Sequence, residues 1–504
     1  MLFNSPEFLF AFLPLTLLLT GVALFLRGRS AGIATLTLAS LFFYGWWEVQ
    51  ALLVIGTSIA FNYTLAQSIT ISADDAKRRK KVAVGVAVNL AALAYFKYAN
   101  FFIANVVALT GANLHAVNVV LPLAISFYTF QQIAFLVDTY KGNMERIPFR
   151  NYMISVVFFP HLIAGPLLHY RDIISQFEQR FRVTWTTVGA GLPIFAMGLA
   201  KKVGLADPIA QFVSPLFVKA QSGPLELFEA WAAALGYTAQ LYFDFSGYSD
   251  MAIGLGLMFG ITLPLNFFSP YKATSIIEFW RRWHMTLSSF LRDYLYFSLG
   301  GGQVGPVRRN VNLMIVMLLG GLWHGAAWTF VFWGALHGAF LIINHLWRNL
   351  VGSRLRRANA ALVPLYGALT FLLVVISWVF FRAASFEVAL NVLTGMFAPA
   401  VVSLPGEFAY HLDTESLPGI VWGQGMSFAD FAGFWAYAAA AYAIIWLAPN
   451  SAQIFSLDGS STPKPKLSVG ALMVARVAAM AILCWICGFG VFSAVPSEFL
   501  YFQF

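Results

Sequence analysis

Glu278-Phe-Trp-Arg-Arg-Trp-His284 leads through Leu291-Arg-Asp-Tyr-Leu-Tyr296 to Gly300-Gly-Gly302, and past the basic pair Arg308 and Arg309 the chain turns apolar. That apolar run carries Gly321-Leu-Trp-His324-Gly325, then His337 and His345. An imidazole buried without hydrogen bonds costs a few kcal/mol, so a histidine at membrane depth needs a partner or a task. Three in one region mark the place where chemistry is to be sought.

Around this run the composition is that of a bilayer protein. Of 504 residues, 59% are hydrophobic and 11% charged, whereas soluble domains carry about a quarter charged residues. The reading is an all-α polytopic membrane protein, a single membrane domain over residues 1–504 with a core of about 120–350 and C-terminal helices of about 360–504. Apolar segments stand at about 7–26, 31–47, 50–70, 82–104, 119–140, 187–206, 228–258, 362–381, 386–398, 430–448 and 468–492. With the histidine region they make roughly 11–14 membrane-embedded segments.

The net charge of +9 sits in short basic clusters between apolar runs, which is a signature of topology and excludes a nucleic-acid face. Arg27 and Arg29, Lys77 to Lys81, Lys141 and Arg146, and Lys464 and Lys466 alternate with Glu48 and with the polar loop of about 399–428. Positive loops stay cytoplasmic, so both termini are expected outside the inner membrane. Met1–Leu26 has Glu7 and no basic leader, and reads as a first membrane helix rather than a cleaved signal. Lys97, near the far end of its segment, is expected to snorkel to the interface. Cys484 and Cys487 read as two small apolar side chains on a helix.

Between Tyr152 and Tyr170, the run Phe159-Pro-His161-Leu-Ile-Ala-Gly-Pro166 breaks helix geometry twice. Broken backbone at membrane depth survives where protein or water satisfies it, so a re-entrant or kinked element lining a cavity is expected. Asp244 and Asp250, in Tyr242-Phe-Asp-Phe-Ser-Gly-Tyr-Ser-Asp250, are either structurally paired or part of a substrate site, with Arg281, Arg282 and Arg292 as the cations nearby in sequence.

No aspartate or glutamate occurs between Asp293 and Glu387, so His324 has no zinc-helix motif, and no metal site is expected. An acid orienting His324 would have to come from elsewhere in the fold, such as Asp244, Asp250 or Asp293. Two roles remain for His324: general base on a hydroxyl, or satisfied packing. In the first, Trp323 and Trp328 would exclude water from a narrow passage. Intramembrane acids and histidines also admit a proton-coupled transporter, although no inverted repeat accompanies them.

The motifs Glu278–His284, Leu291–Tyr296 with Gly300-Gly301, and Gly321-Leu-Trp-His-Gly-Ala-Ala-Trp328 resemble signatures of the membrane-bound O-acyltransferase (MBOAT) family. Phe159–Pro166, Tyr242–Asp250, the opening Met1-Leu-Phe-Asn-Ser5 and the ending Tyr501-Phe-Gln-Phe504 resemble its bacterial branch, which serves O-acetylation of alginate and other extracellular polysaccharides. The resemblance implies a helical bundle with re-entrant helices and a central tunnel. It places the family's invariant histidine at His324 and its second active-site position at His284, the first deprotonating an acceptor and the second positioning or polarising a thioester.

His337 and His161 would line the tunnel or pack, and His115, His169 and His411 are read as ordinary loop or interface residues. Trp280, Arg281 and Arg282 would receive the phosphates of an acyl-coenzyme A at the cytoplasmic mouth, or else the two arginines anchor an interfacial helix or pair with Asp244 and Asp250. The implied function is transfer of an acyl group, in the first instance acetyl, from a cytoplasmic acyl-CoA or acyl-carrier thioester to an exported polysaccharide. No cofactor is expected to be bound tightly. Expected partners are membrane lipid, the polysaccharide acceptor, and a periplasmic SGNH-type acyltransferase or small acyl-relay membrane protein. D-alanyl transfer to teichoic acid is the other reading within the class.

Overall fold

A computed structural model describes residues 1–142, 147–163, 165–168, 170–303, 305–358, 362–399, 402–410, 420–423, 425–457, 481 and 499–500. Expectations on Arg146, His169, His411, Lys464, Lys466, Cys484, Cys487, most of the 468–492 segment and the Tyr501–Phe504 end fall outside them. The regular elements of the described chain are helices, apart from two parallel three-residue strands, Val402–Leu404 and Ile420–Trp422, in the polar loop. Seven helices among the described residues are long and apolar enough to cross a membrane: Glu7–Arg27, Val49–Thr70, Asp75–Thr110, Trp185–Lys219, Trp328–Leu350, Val363–Arg382 and Phe428–Leu447. Arg29–Gly45, Ile125–Tyr140, Leu227–Met258 and Pro306–His324 pack among them.

The bundle is built around Leu227–Met258, 32 residues buried along nearly their whole length. Against it, antiparallel, lies Trp185–Lys201. The contact is made by glycines seven residues apart on each helix. A Cβ at Gly191 or Gly254, or at Gly198 or Gly247, would meet the backbone of the opposite helix. In lipid, where apolar tails compete equally for leucine, such close backbone approach is what holds helices together.

Several segments differ from their expected bounds for identifiable reasons. The fourth membrane helix begins at Asp75, because Asp74 caps it by accepting the N–H groups of Ala76 and Lys77, and it runs to Thr110 before a left-handed Gly111. The basic run Lys77–Lys81 therefore forms its first turns rather than a loop. Expected from about 119, the next helix starts at Ile125, since Pro122 disfavours helical backbone before it and Ala124 sits at a φ of 61°. The Tyr44 hydroxyl ties this approach down by donating to the Leu123 carbonyl at 2.7 Å. As expected from its prolines, the 152–170 region is broken: Phe149–Val157 stops at Phe158, and a single turn, Phe159–Leu162, follows inside the protein.

Candidate active site

His324 is the last residue of Pro306–His324, and Gly325 after it is extended. The end of a helix leaves its last carbonyls unpaired, and these must be satisfied from elsewhere. Here they are met by Asp75–Thr110. The Tyr98 hydroxyl donates to the Leu322 carbonyl at 2.9 Å, and the Lys97 ammonium donates to the carbonyls of Trp323 at 2.6 Å and His324 at 3.1 Å. Lys97 thus points inward to the histidine helix instead of snorkelling to the interface. The expectation failed because a helix starting at residue 82 would place Lys97 near its end, whereas in Asp75–Thr110 it stands at depth.

Lys97, Trp323 and His324 line a pocket of about 170 Å³ together with Leu121 to Phe127 and Ile163. Trp323 is buried, stacked on Phe130 at 5.3 Å between ring centroids, and its indole neighbours two imidazoles, His324 at 5.0 Å and His284 at 6.4 Å. Trp333 and Phe381 also make T-shaped contacts with the His324 ring, at 5.2 and 5.1 Å between centroids. Trp323 therefore forms part of the pocket wall. Trp328 does not: it is 55% exposed, and its indole N–H donates to Asn105 Oδ1 at 2.8 Å. The cause is the turn at Gly325–Ala327, which ends one helix and starts the next, so that Trp328 opens Trp328–Leu350 on an outer face.

His284 is buried in a left-handed conformation, φ 44° and ψ 53°, which is uncommon for a residue with a Cβ and is held by its surroundings. Its Nδ1 faces Asn266 Oδ1 at 3.0 Å. That oxygen also faces the backbone N–H of Thr286 at 3.3 Å and the Thr286 hydroxyl at 2.9 Å. A backbone N–H can only donate, so the Asn266 atom is the carbonyl oxygen, and His284 Nδ1 must bring the proton. In the neutral ring Nε2 then carries a lone pair. This geometry suits positioning and proton acceptance; polarising a thioester carbonyl, the other expected role, would need the N–H that Asn266 holds. Asn266→Leu is expected to lower kcat about 10- to 100-fold, the loss that follows when a metal-bound imidazole is deprived of the partner that fixes its tautomer and ring angle, as Asn266 does here. Asn266→Asp, which keeps the acceptor, should retain most of the rate; steady-state kinetics of the two variants check this.

The other expected site residues are placed outside the pocket. His337 accepts from the Trp280 indole at Nδ1, 3.3 Å, and its Nε2–H donates to Ser377 Oγ at 3.0 Å, since the Ser377 hydroxyl itself donates to Val374 O. His161 is likewise satisfied: Ser155 O accepts from Nε2 at 3.0 Å, and the Gln131 amide approaches Nδ1 at 3.3 Å. Both pack. Arg282 pairs with Glu278 one turn back at 2.5 Å, while Arg281 is exposed and makes no ion pair among the described residues. Arg292 pairs with its neighbour Asp293 at 2.7 Å.

Asp244 and Asp250 find cations, but not the arginines near them in sequence. Lys202 Nζ reaches Asp244 at 2.6 Å and Asp207 at 2.8 Å; Lys201 Nζ reaches Asp250 at 2.6 Å. The glycine-lined helix contact explains the pairing, because it slides the end of Trp185–Lys201 alongside the middle of Leu227–Met258. Asp244 also accepts the Leu500 N–H at 3.0 Å, so this carboxylate lies in a structural network and not in the pocket wall. Lys97 and Asn266 are the site residues that sequence reading passed over. A charge inside an apolar run was a signal for the first; nothing marked the second.

The site is thus a buried histidine on the wall of a pocket inside a multi-pass helical bundle. Residues 41–386 match the family model described as MBOAT, membrane-bound O-acyltransferase family, and the chain belongs to that family. It is 42% identical over 445 residues to a peptidoglycan O-acetyltransferase of Helicobacter pylori, covering 82% of each chain. Over 407 residues it is 43% identical to a probable alginate O-acetylase of Pseudomonas aeruginosa, 79% of this chain and 75% of that one. A teichoic acid D-alanyltransferase of Streptococcus thermophilus is 27% identical over 256 residues, covering 48% of this chain and 61% of the relative. The protein is a multi-pass membrane O-acyltransferase.

Proposed function

We propose that this acyltransferase takes an acetyl group from a cytoplasmic thioester, acetyl-CoA, and passes it across the inner membrane toward the hydroxyls of an exported polysaccharide of the alginate or peptidoglycan kind. The observation that carries the reading is the placement of His324 on the wall of the pocket beside Lys97 and Trp323. Basic residues at Arg27 and Arg29, at Lys77–Lys81 and at Lys141 favour an external amino terminus. The pocket turn Leu121–Ala124 then lies outside, opposite Lys141 at the other end of Ile125–Tyr140. An acceptor hydroxyl would meet His324 from that side and lose its proton to the imidazole as its oxygen attacks the acyl carbon; the carbon–sulfur bond then breaks, and the departing thiolate takes that proton and leaves as free coenzyme A. His284, with its lone pair at Nε2, would hold the donor end of the passage. Exposed Arg281 offers a guanidinium to the donor's phosphates.

The described external loop is small, so the polymer would be held by a periplasmic SGNH-type acyltransferase or a small acyl-relay membrane protein that receives the acetyl group first. The 27% identity to a teichoic acid D-alanyltransferase favours D-alanyl transfer from a carrier protein as the second reading. Reconstituted full-length chain given radiolabelled acetyl-CoA separates them. Acetyl-CoA turnover that rises when the periplasmic partner is added supports the first. Turnover of only a carrier-bound D-alanyl thioester supports the second, and efficient labelling of polymer by the chain alone removes the partner.

A further inference from the structure

The Lys97 ammonium has three hydrogens and three acceptors, the carbonyls of Trp323 and His324 and the Ser126 hydroxyl at 3.4 Å, all neutral. Among the described residues no carboxylate lies within ion-pair distance of it. An uncompensated charge at membrane depth is expensive to keep, so its use is to be sought in what it touches. It touches the two carbonyls that end the histidine helix, where the aligned peptide dipoles leave partial negative charge. Beyond them the chain reverses through Gly325, against whose Cα the Phe330 ring packs too closely for any side chain. The His324 backbone thus sits at a hinge, with a fixed helix behind it and a glycine ahead.

We propose that Lys97 is a positioning residue for acyl transfer: by clamping the Trp323 and His324 carbonyls, with Tyr98 on Leu322 behind them, it sets the direction in which the His324 imidazole enters the pocket. The contact to Ser126 joins the same ammonium to the first turn of Ile125–Tyr140, so one group registers the histidine helix against the opposite pocket wall. The proposal rests on the reading of His324 as the base, and its test separates the two.

In a background carrying Cys484→Ala and Cys487→Ala, full-length protein in nanodiscs is compared as Lys97, Lys97→Met, and Lys97→Cys before and after alkylation with 2-bromoethylamine, which rebuilds a lysine-like ammonium. Two quantities are read: acetyl-CoA turnover, and the rate of carbethoxylation of residue 324 by diethyl pyrocarbonate, followed by mass spectrometry. The expected result is a kcat at least tenfold lower in Lys97→Met, with KM within threefold, and recovery of the cysteine variant to within threefold of the parent on alkylation. Carbethoxylation of His324 should change at least fivefold in Lys97→Met and return on alkylation. A parent without acetyl-CoA turnover would refute the donor reading, while the carbethoxylation rates would still decide the role of Lys97. Rates at residue 324 unchanged by the substitution, a loss confined to KM, or a loss that alkylation does not repair would each overturn it.

Discussion

His324→Ala is expected to lower acyl transfer by roughly 10²- to 10⁴-fold, the range lost when a positioned general base is removed. The imidazole borders the pocket and packs in T-shaped contact with Trp333 and Phe381, so its loss takes the proton acceptor away from the place where a hydroxyl would arrive. His324→Gln, which keeps length and a hydrogen-bonding end but cannot take a proton at neutral pH, should be as inactive as alanine. Both variants should keep the helical circular dichroism and elution volume of the parent, because the carbonyl clamp on the helix end is made to backbone. Activity within tenfold of the parent in either variant would remove His324 from the role of base.

The second large effect is on stability. Lys202 is buried between Asp244 and Asp207, with 5% of its side chain exposed against 1% and 14% for the acids. Lys202→Met would leave two carboxylates facing an apolar side chain in a medium that solvates ions poorly. Breaking a buried pair from one side costs about 3–5 kcal/mol, whereas replacing both partners with neutral groups of similar volume is near neutral. Thermal unfolding in detergent should therefore show Lys202→Met and Asp244→Leu each strongly destabilised, and the Lys202→Met/Asp244→Leu double variant partly recovered. If the double variant is the sum of the singles, the two charges do not act as a pair.

These two sites also show what a sequence can and cannot display. Motif order around Gly321–Trp328 and Glu278–His284 marked His324 and His284, and the structure brings both imidazoles onto the Trp323 ring. The class of fold was legible because apolar length is a local property of the chain. Partner choice was not, because it is a property of helix register. Asp244 and Asp250 were matched to arginines a few dozen residues ahead, while the glycine pairs 191 with 254 and 198 with 247 deliver Lys201 and Lys202 instead. Those glycines were in plain view, yet their spacing of seven acquires meaning only when two helices are laid antiparallel. Trp328 was misplaced for a smaller reason: three residues of turn separate it from His324, enough to carry an indole from the interior to an outer face. Asn266 lies in irregular chain between Met258 and Pro270, where no periodicity exists to say which way a side chain turns.

The bond from Lys97 to the Trp323 carbonyl spans 226 residues of sequence. During synthesis, Asp75–Thr110 therefore leaves the ribosome long before the carbonyls that satisfy its ammonium exist. A lysine at the centre of an inserting helix costs about 2.5–3.5 kcal/mol at the translocon, so this helix must enter on the strength of its own apolar residues, or wait beside the insertion machinery until Pro306–His324 arrives. Maturation of the histidine helix and relief of an early, stranded charge are then one event in the biogenesis of the protein.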